Sequence, residues 1–237
     1  MSINNRTVVI SGATGLLSSF VARELAKKGV NLALLDIHSD KLASLLKDLG
    51  LADGRVFSRA VDLLDPLGTK TAADAISSKF GKIEVLLHLV GGWSGGKLLI
   101  NENSDDLTNM LNRHIWTSFN VIQAFVPYII KNGWGRIIMV TSPHAARPNV
   151  NGGIYAIGKS GQEALMNALS RELEGSGVTA NMLQVKSIDV KREKLSSPTP
   201  ENTTWTTPEE LVGAILFLLS DEAGNINGSK IPLHGSY

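Results

Sequence analysis

The chain has 237 residues, 43% of them hydrophobic, no cysteine, and 23 lysines and arginines against 22 aspartates and glutamates. That length and apolar content allow a sizeable core, and the near-balanced charge argues against nucleic acid or an acidic membrane surface as a partner. Absence of cysteine excludes disulfides, thiolate catalysis and thiolate metal sites, and the five histidines are scattered without ligand spacing, so no metal is expected.

Met1 to Arg6 leads straight into a strand pattern with no apolar signal core. Apolar runs such as Leu211 to Leu219 fall well short of the ~20 residues that a membrane span requires, so a soluble, cytoplasmic protein is expected. From there, short β-branched runs alternate with helical patterns to the end of the chain. Thr7 to Ser11 predicts a strand and Leu16 to Lys28 a helix, closed by Lys27-Lys28-Gly29, where cations and then glycine suit a C-terminus. Strand Asn31 to Asp36 precedes helix Ser39 to Leu49, and strand Arg55 to Val61 precedes helix Pro66 to Phe80. Strand Glu84 to Val90 precedes a long helix Ser104 to Asn132, and strand Arg136 to Thr141 precedes helix Gly153 to Glu174. Strand Val178 to Gln184 leads through an irregular stretch to helix Pro208 to Ser220, whose Pro208-Glu209-Glu210 suits a helix start, and Lys230 to Leu233 is a final strand.

This alternation predicts an α/β protein of one domain over residues 1–237, a doubly wound, mostly parallel seven-stranded sheet with helices on both faces. Such sheets bind ligands beyond the carboxyl ends of the strands, where strand order reverses. Ser187 to Thr207, with Pro198 and Pro200, reads equally as a substrate lid and as a variable surface excursion.

Beyond the first strand lies Ser11-Gly12-Ala13-Thr14-Gly15-Leu16-Leu17-Ser18. Glycines at a strand-to-helix turn admit a pyrophosphate close to the backbone, and the helix N-terminus offers free N–H groups and a positive dipole end. Asp36 closes the second strand 21 residues after Gly15, the usual place for a ribose-binding carboxylate. That carboxylate would repel the additional phosphate of NADP, so NAD(H) is the expected cofactor.

The acid/base candidate is Tyr155-Ala156-Ile157-Gly158-Lys159, with Ser142 at the end of the apolar run Ile137 to Thr141. Residues four apart on a helix share a face, so a phenol and an ammonium approach one site together. A cation roughly 5 Å away at an effective dielectric of about 20 is worth ~3 kcal/mol, enough to bring a phenol pKa of about 10 down by about two units. With three tyrosines in the chain, such a pair arises by chance in roughly one similar sequence in five, so its weight comes from context.

Taken together, Gly12-x-x-Gly15, Asp62-Leu63, Gly91, Ser142, Tyr155-x-x-x-Lys159, Asn181, Thr207-Pro208-Glu209-Glu210 and the closing Asn225 to Ile231 resemble the short-chain dehydrogenase/reductase family over essentially the whole chain. The resemblance implies that Tyr155 moves the proton at a substrate oxygen while nicotinamide exchanges hydride with the attached carbon. It implies that Lys159 lowers the tyrosine pKa and binds the nicotinamide ribose, that Ser142 bonds the substrate oxygen, and that Asp62 contacts adenine. Gly12, Thr14, Gly15, Leu16, Leu17, Asp36, Leu63, Gly91 and Ile188 complete the implied cofactor contacts, and a homodimer or homotetramer is implied through the helices Ser104 to Asn132 and Gly153 to Glu174.

The chain departs from the family pattern at His88-Leu89-Val90-Gly91, where Asn-Asn-Ala-Gly is usual, at His114 in place of the helix asparagine, and at Val185-Lys186 in place of Pro-Gly. His114 reads as a proton relay or as a packed, hydrogen-bonded histidine. Val90 to Gly96, His114 to Ser118 and Trp205-Thr206 are similar to segments of the quinoid dihydropteridine reductase branch, which lacks the serine that Ser142 represents. Trp93, Trp116 and Trp205 could form a flat wall for a planar substrate, or could cover core and subunit surface. Lys186, Lys191, Arg192 and Lys194, interleaved with Asp189 and Glu193, read as an anion-attracting rim or as a solvated loop. The leading expectation is NAD-dependent hydride transfer to or from a small carbonyl or alcohol. The alternatives are reduction of a quinonoid pterin and a catalytically quiet dinucleotide sensor.

Overall fold

The computed structural model describes residues 3–235. Seven strands form one sheet: β1 (Thr7–Ser11), β2 (Asn31–Asp36), β3 (Val56–Ala60), β4 (Val85–His88), β5 (Gly135–Thr141), β6 (Val178–Gln184) and β7 (Lys230–Pro232). Their order is β3-β2-β1-β4-β5-β6-β7, and every pairing is parallel. The chain therefore winds outward from β1 in one direction, returns to start β4, and winds outward in the other. Between the carboxyl ends of β1 and β4 the connections diverge and leave a crevice.

Helices α1 (Leu16–Lys27), α2 (Ser39–Leu49) and α8 (Pro208–Leu218) cover one face; α3 (Pro66–Phe80), α5 (Thr117–Lys131) and α6 (Gly153–Glu172) cover the other. Alternation along the strands sorts the side chains. Val8 and Ile10 of β1 join Val21, Leu25, Leu42 and Ile215 on the first face, whereas Val9 joins Ile76, Phe125, Ile129 and Met166 on the second. Each large apolar side chain fully removed from water contributes about 1.5–3 kcal/mol, and buried strands on both faces read as the near-continuous apolar runs seen in the sequence.

The predicted elements are found with ends shifted by at most two residues, apart from the long helix. Ser104 to Asn132 is a continuous helical run, but it comprises α4 (Ser104–Leu111), a π-helical turn (Asn112–Trp116) and α5. The extra residue in that turn advances the hydrogen-bond register, and His114 sits inside it.

The excursion from Ser187 to Thr207 is not wholly irregular. It contains the short α7 (Glu193–Ser196) and a 3₁₀ turn at Asn202–Thr204. Its ends are tied together: Thr206 N–H donates to Ser187 O at 2.9 Å and Asp189 N–H to Thr206 O at 2.8 Å. The buried Asp189 carboxylate accepts from the Glu193 and Lys194 amides at 2.8 and 2.9 Å. Lys194 Nζ then reaches Glu210 of α8 at 2.7 Å. Among the described residues no helix is long and apolar enough to cross a membrane, and no group of three or more His, Cys, Asp or Glu side chains is placed to hold a metal.

Thr207 caps α8 reciprocally: Glu210 N–H donates to Thr207 Oγ1 at 3.3 Å and Thr207 N–H to Glu210 Oε2 at 2.8 Å. Thr207→Ala removes one half of that capping box and is expected to lower stability by about 1 kcal/mol. Urea denaturation monitored by circular dichroism reads this directly, and an unchanged midpoint would show the cap to be idle.

Candidate active site

Two adjoining cavities occupy the crevice, of about 550 and 410 Å³. The larger is lined by Gly12, Thr14, Gly15, Asp36, Asp62, Leu63 and Gly91, all among the expected cofactor contacts, and also by His38, Lys41, Asn109, Asn112 and Arg113, which were not. The smaller is lined by Gly15, Leu16, Leu17, Gly91, Tyr155, Lys159 and Ile188, together with Trp93, Lys186 and Ser187.

Gly12 adopts φ +74°, and a Cβ there would fall 3.0 Å from both the backbone N and the side chain of Val90. Only glycine lets the first turn close against the end of β4. Gly15 caps α1 without a side-chain hydrogen bond, which leaves the first N–H groups of the helix facing the crevice. Across it, Asp36 is buried at the end of β2 and accepts from Thr14 N–H at 3.0 Å, His38 N–H at 3.1 Å, and His38 Nδ1 at 2.9 Å. Burial alone would raise its pKa, but the bonds from Thr14 and His38 outweigh burial and hold the carboxyl below its ordinary range. It is ionised at neutral pH.

At the other end, α6 approaches the π turn closely because Gly158 has no side chain. A Cβ on Gly158 would fall 3.0 Å from the His114 ring. Tyr155 consequently stacks edge-on against His114, with ring centroids 5.6 Å apart at 80°. His114 is fully buried, with Nε2 2.9 Å from Gly92 O and Nδ1 without a partner among the described residues. Burial first, then the charge of Lys159, pushes its pKa down to about 3, against the pull of the Gly92 carbonyl and with a small addition from Arg113. His88 is equally buried, 2.8 Å from Ser11 Oγ through Nδ1, and its pKa too is pushed down to about 3 by burial and the charges of Lys159 and His114. Both imidazoles are neutral across the physiological range, and His114 is buried, packed on Tyr155 and hydrogen-bonded to Gly92.

Tyr155 and Lys159 both lie on α6, as the helical spacing predicts, but the expected lowering of the phenol pKa by the ammonium is not found. Burial pushes the Tyr155 phenol up, and a hydrogen bond with Ser142 recovers only part of the shift. Lys159 directs its Nζ elsewhere, donating to Val140 O at 2.7 Å and to Gln162 Oε1 at 2.9 Å. Burial pulls its own pKa down to about 7 despite the Glu163 carboxylate one turn along the helix. Glu163 is already engaged by Thr141 Oγ1 at 2.7 Å and Lys230 Nζ at 2.8 Å.

The tryptophan wall is not assembled either. Trp93 lines the smaller cavity, whereas Trp116 stacks edge-on with Phe119, both exposed on the outer surface of the helical run. Of the basic residues that read as an anion-attracting rim or as a solvated loop, Lys186 lines the cavity, and Arg192 and Lys194 are paired with Glu209 and Glu210. Gln162 and Glu163 were missed, although their spacing of three and four residues from Lys159 was a usable signal.

A crevice with a glycine turn at one end and Tyr155 and Lys159 at the other suits a protein that works with a bound nucleotide cofactor. Residues 6–200 match the short chain dehydrogenase family model, and the chain belongs to that family. Over 99% of its length it is 27% identical to 98% of a 3-oxoacyl-[acyl-carrier-protein] reductase from Thermotoga maritima. It is 24% identical to D-beta-hydroxybutyrate dehydrogenase from Rhizobium meliloti, across 98% of each chain. A short-chain type dehydrogenase/reductase from Mycobacterium ulcerans superimposes with a TM-score of 0.89 at 22% identity, covering 98% of this chain and 89% of that one. Carveol dehydrogenase from Mycobacterium avium, solved in complex with NAD, gives a TM-score of 0.83 at 22% identity over 98% and 96% of the two chains. The family works with nicotinamide dinucleotides, and the crevice fits one: uncapped N–H groups at the start of α1 suit a pyrophosphate, and Asp36 suits ribose hydroxyls.

The buried histidines make stability depend on pH. Their folded pKa values lie below the unfolded value of about 6.5, so the unfolded chain binds more protons between these limits, and stability is complete above pH 6.5 and falls as pH drops toward 3. At pH 5 each histidine is expected to cost about 2 kcal/mol relative to pH 8. Urea midpoints at the two pH values test this, and His88→Asn should remove a corresponding part of the dependence; an unchanged dependence would assign it to other groups.

Proposed function

We propose that the protein transfers hydride between NAD(H), in preference to NADP(H), and a small carbonyl or alcohol substrate, with Tyr155 as the acid/base. The observation that carries this reading is the placement of Tyr155 and Lys159 in a cavity that joins the dinucleotide crevice at Gly91. When bound, the nicotinamide supplies or accepts the hydride. The protein's part is to hold it and to move one proton. Gly12, Thr14, Gly15, Leu16 and Leu17 would cradle the pyrophosphate, Asp36 the adenosine ribose, Asp62 and Leu63 the adenine, and Gly91, Ile188 and Lys159 the nicotinamide nucleoside.

In the reducing direction, a phenol whose pKa is raised by burial is fully protonated at neutral pH and donates to the oxygen that becomes the alcohol. Ser142 hydrogen-bonds that oxygen and stabilises the charge developing on it. His114, neutral and packed on Tyr155, fixes the ring orientation rather than carrying a proton. The excursion from Ser187 to Thr207 acts as a lid: its first residues Ser187, Ile188 and Val190 line the smaller cavity. Self-association into a dimer or tetramer uses the helical run from α4 to α5 together with α6, where Trp116, Phe119, Ile130 and Ile157 are exposed.

The ionised Asp36 supports the cofactor preference, because a phosphate on the adjacent ribose hydroxyl would sit beside it. A second reading, reduction of a quinonoid pterin, is favoured by Trp93 alone, whose indole lines the smaller cavity as a flat apolar surface.

The decisive experiment is oxidation of NADH and NADPH with a panel of small ketones, ethyl acetoacetate among them, and with quinonoid dihydropterin. Ketone turnover with NADH at several-fold better kcat/KM than with NADPH is expected, and NADPH preference would refute the role given to Asp36. Turnover of the pterin with no ketone would select the second reading. Tyr155→Phe is expected to lower kcat by about 10³-fold or more while leaving the NADH dissociation constant within a few-fold. A variant that turns over normally would remove Tyr155 from the reaction.

A further inference from the structure

We infer that Gln162 is a positioning residue for Lys159, its side-chain carbonyl holding the amine in one orientation through a hydrogen-bond chain that leads to the π turn. The inference concerns the lysine's proton and its place in the smaller cavity; its bearing on turnover rests on the reading of Tyr155 and Lys159 given above.

Gln162 is fully buried, so its amide must find partners within the protein. Its Oε1 lies 2.9 Å from Lys159 Nζ, and its Nε2 donates to Ser118 Oγ at 2.9 Å. Ser118 Oγ in turn donates to His114 O at 2.6 Å. A hydroxyl has one proton, and Ser118 spends it on a carbonyl that accepts only. Toward Gln162 it can therefore only accept. That fixes which end of the amide faces which way: the NH₂ must face Ser118 and the oxygen must face the lysine. The polarity of the whole chain follows from the backbone carbonyl inside the π turn, and nothing along it competes with Lys159 for the Gln162 oxygen.

Lys159 thus has two acceptors, Val140 O and Gln162 Oε1, for the three N–H groups of an ammonium. Lys159 also lines the smaller cavity. Among the described residues the groups around it leave Gln162 as its one polar side-chain hydrogen-bond partner. On α6, Glu163 is engaged by Thr141 and by Lys230 of β7, and Tyr155 bonds to Ser142. His88 from β4 and His114 from the π turn are neutral, and Lys186 beyond β6 lines the same cavity as a second cation. A neutral acceptor at position 162 steadies the ammonium against burial without locking its proton in place. A carboxylate there would lock it, and an apolar side chain would withdraw the support. Lys159, whose pKa burial has already brought to about 7, is where that difference is felt.

The test reads the lysine directly. Protein labelled with ¹³C at lysine Cε is titrated by nuclear magnetic resonance from pH 5 to 10, with the Lys159 signal assigned by its loss in Lys159→Met. Gln162→Leu is expected to move the Lys159 midpoint down by about one unit, Gln162→Glu to move it up by at least as much, and Ser118→Ala, which frees the amide to turn, to move it down by less. An unmoved midpoint in a folded Gln162→Leu overturns the inference. If that variant does not fold, Gln162→Glu decides, because it keeps an acceptor of the same size: an upward shift supports the inference and an unmoved midpoint overturns it. The titration needs no substrate, so it stands or falls apart from catalysis. Should Tyr155→Phe retain full turnover while the midpoints shift as stated, the catalytic reading fails and the positioning of Lys159 remains.

Discussion

A lysine withdrawn from water must be supplied with acceptors, and the lower part of the crevice is organised around that requirement at Lys159. The carbonyl of Val140 comes from the end of β5 and the carbonyl of Gln162 from the next turn of α6. Behind them Glu163 binds β5 through Thr141 and β7 through Lys230. Two strands of this half of the sheet, β5 and β7, are thus joined to the helix that covers them by polar groups on and beside one amine. Strand end, helix and final strand cannot shift independently without leaving a buried polar atom unmatched, and that costs about 1–3 kcal/mol each time.

The second constraint is steric. Gly158 allows α6 to lie against His114, and the π turn carries the His114 carbonyl to Ser118 and its ring to Tyr155. The close packing that orients the phenol also buries it, and burial raises the Tyr155 pKa where a nearby cation would lower it. Packing and charge therefore oppose each other at this residue, and packing prevails because Lys159 is turned toward other oxygens.

The sheet and its covering helices were legible because strands buried on both faces leave continuous apolar runs and the intervening helices leave a different period. The glycine turn and Asp36 were legible for a related reason: each sits at an end of such a run, where the fold fixes its position. The π turn was not legible, because one added residue in a hydrogen-bond register leaves the apolar pattern of Ser104 to Asn132 almost unchanged. Nor could tryptophan spacing distinguish Trp93, which lines the cavity, from Trp116, which faces outward. Gln162 and Glu163 carried a spacing signal without a burial signal, since α6 is apolar on one side and both residues read as part of its polar side. The direction of the pKa shift at Tyr155 required knowing where the Lys159 amine points, and sequence supplies the distance between two residues on a helix but not the competing partners of each.

The excursion between β6 and α8 departs and returns at nearly the same place, with Ser187, Asp189 and Thr206 hydrogen-bonded to one another and Thr206 Oγ1 donating to Leu233 O at 2.7 Å. Once the two ends of a loop are pinned, the cost of closing it grows only slowly with the length between them, by ~0.6 kcal/mol for each doubling. Length between the pins can therefore change at little cost to the sheet, whereas composition cannot change freely: Ile188 and Val190 line the smaller cavity, and Arg192 and Lys194 tie the segment to Glu209 and Glu210. The excursion behaves as an adjustable hem, fixed along the edge that meets the crevice and α8 and free to lengthen away from it.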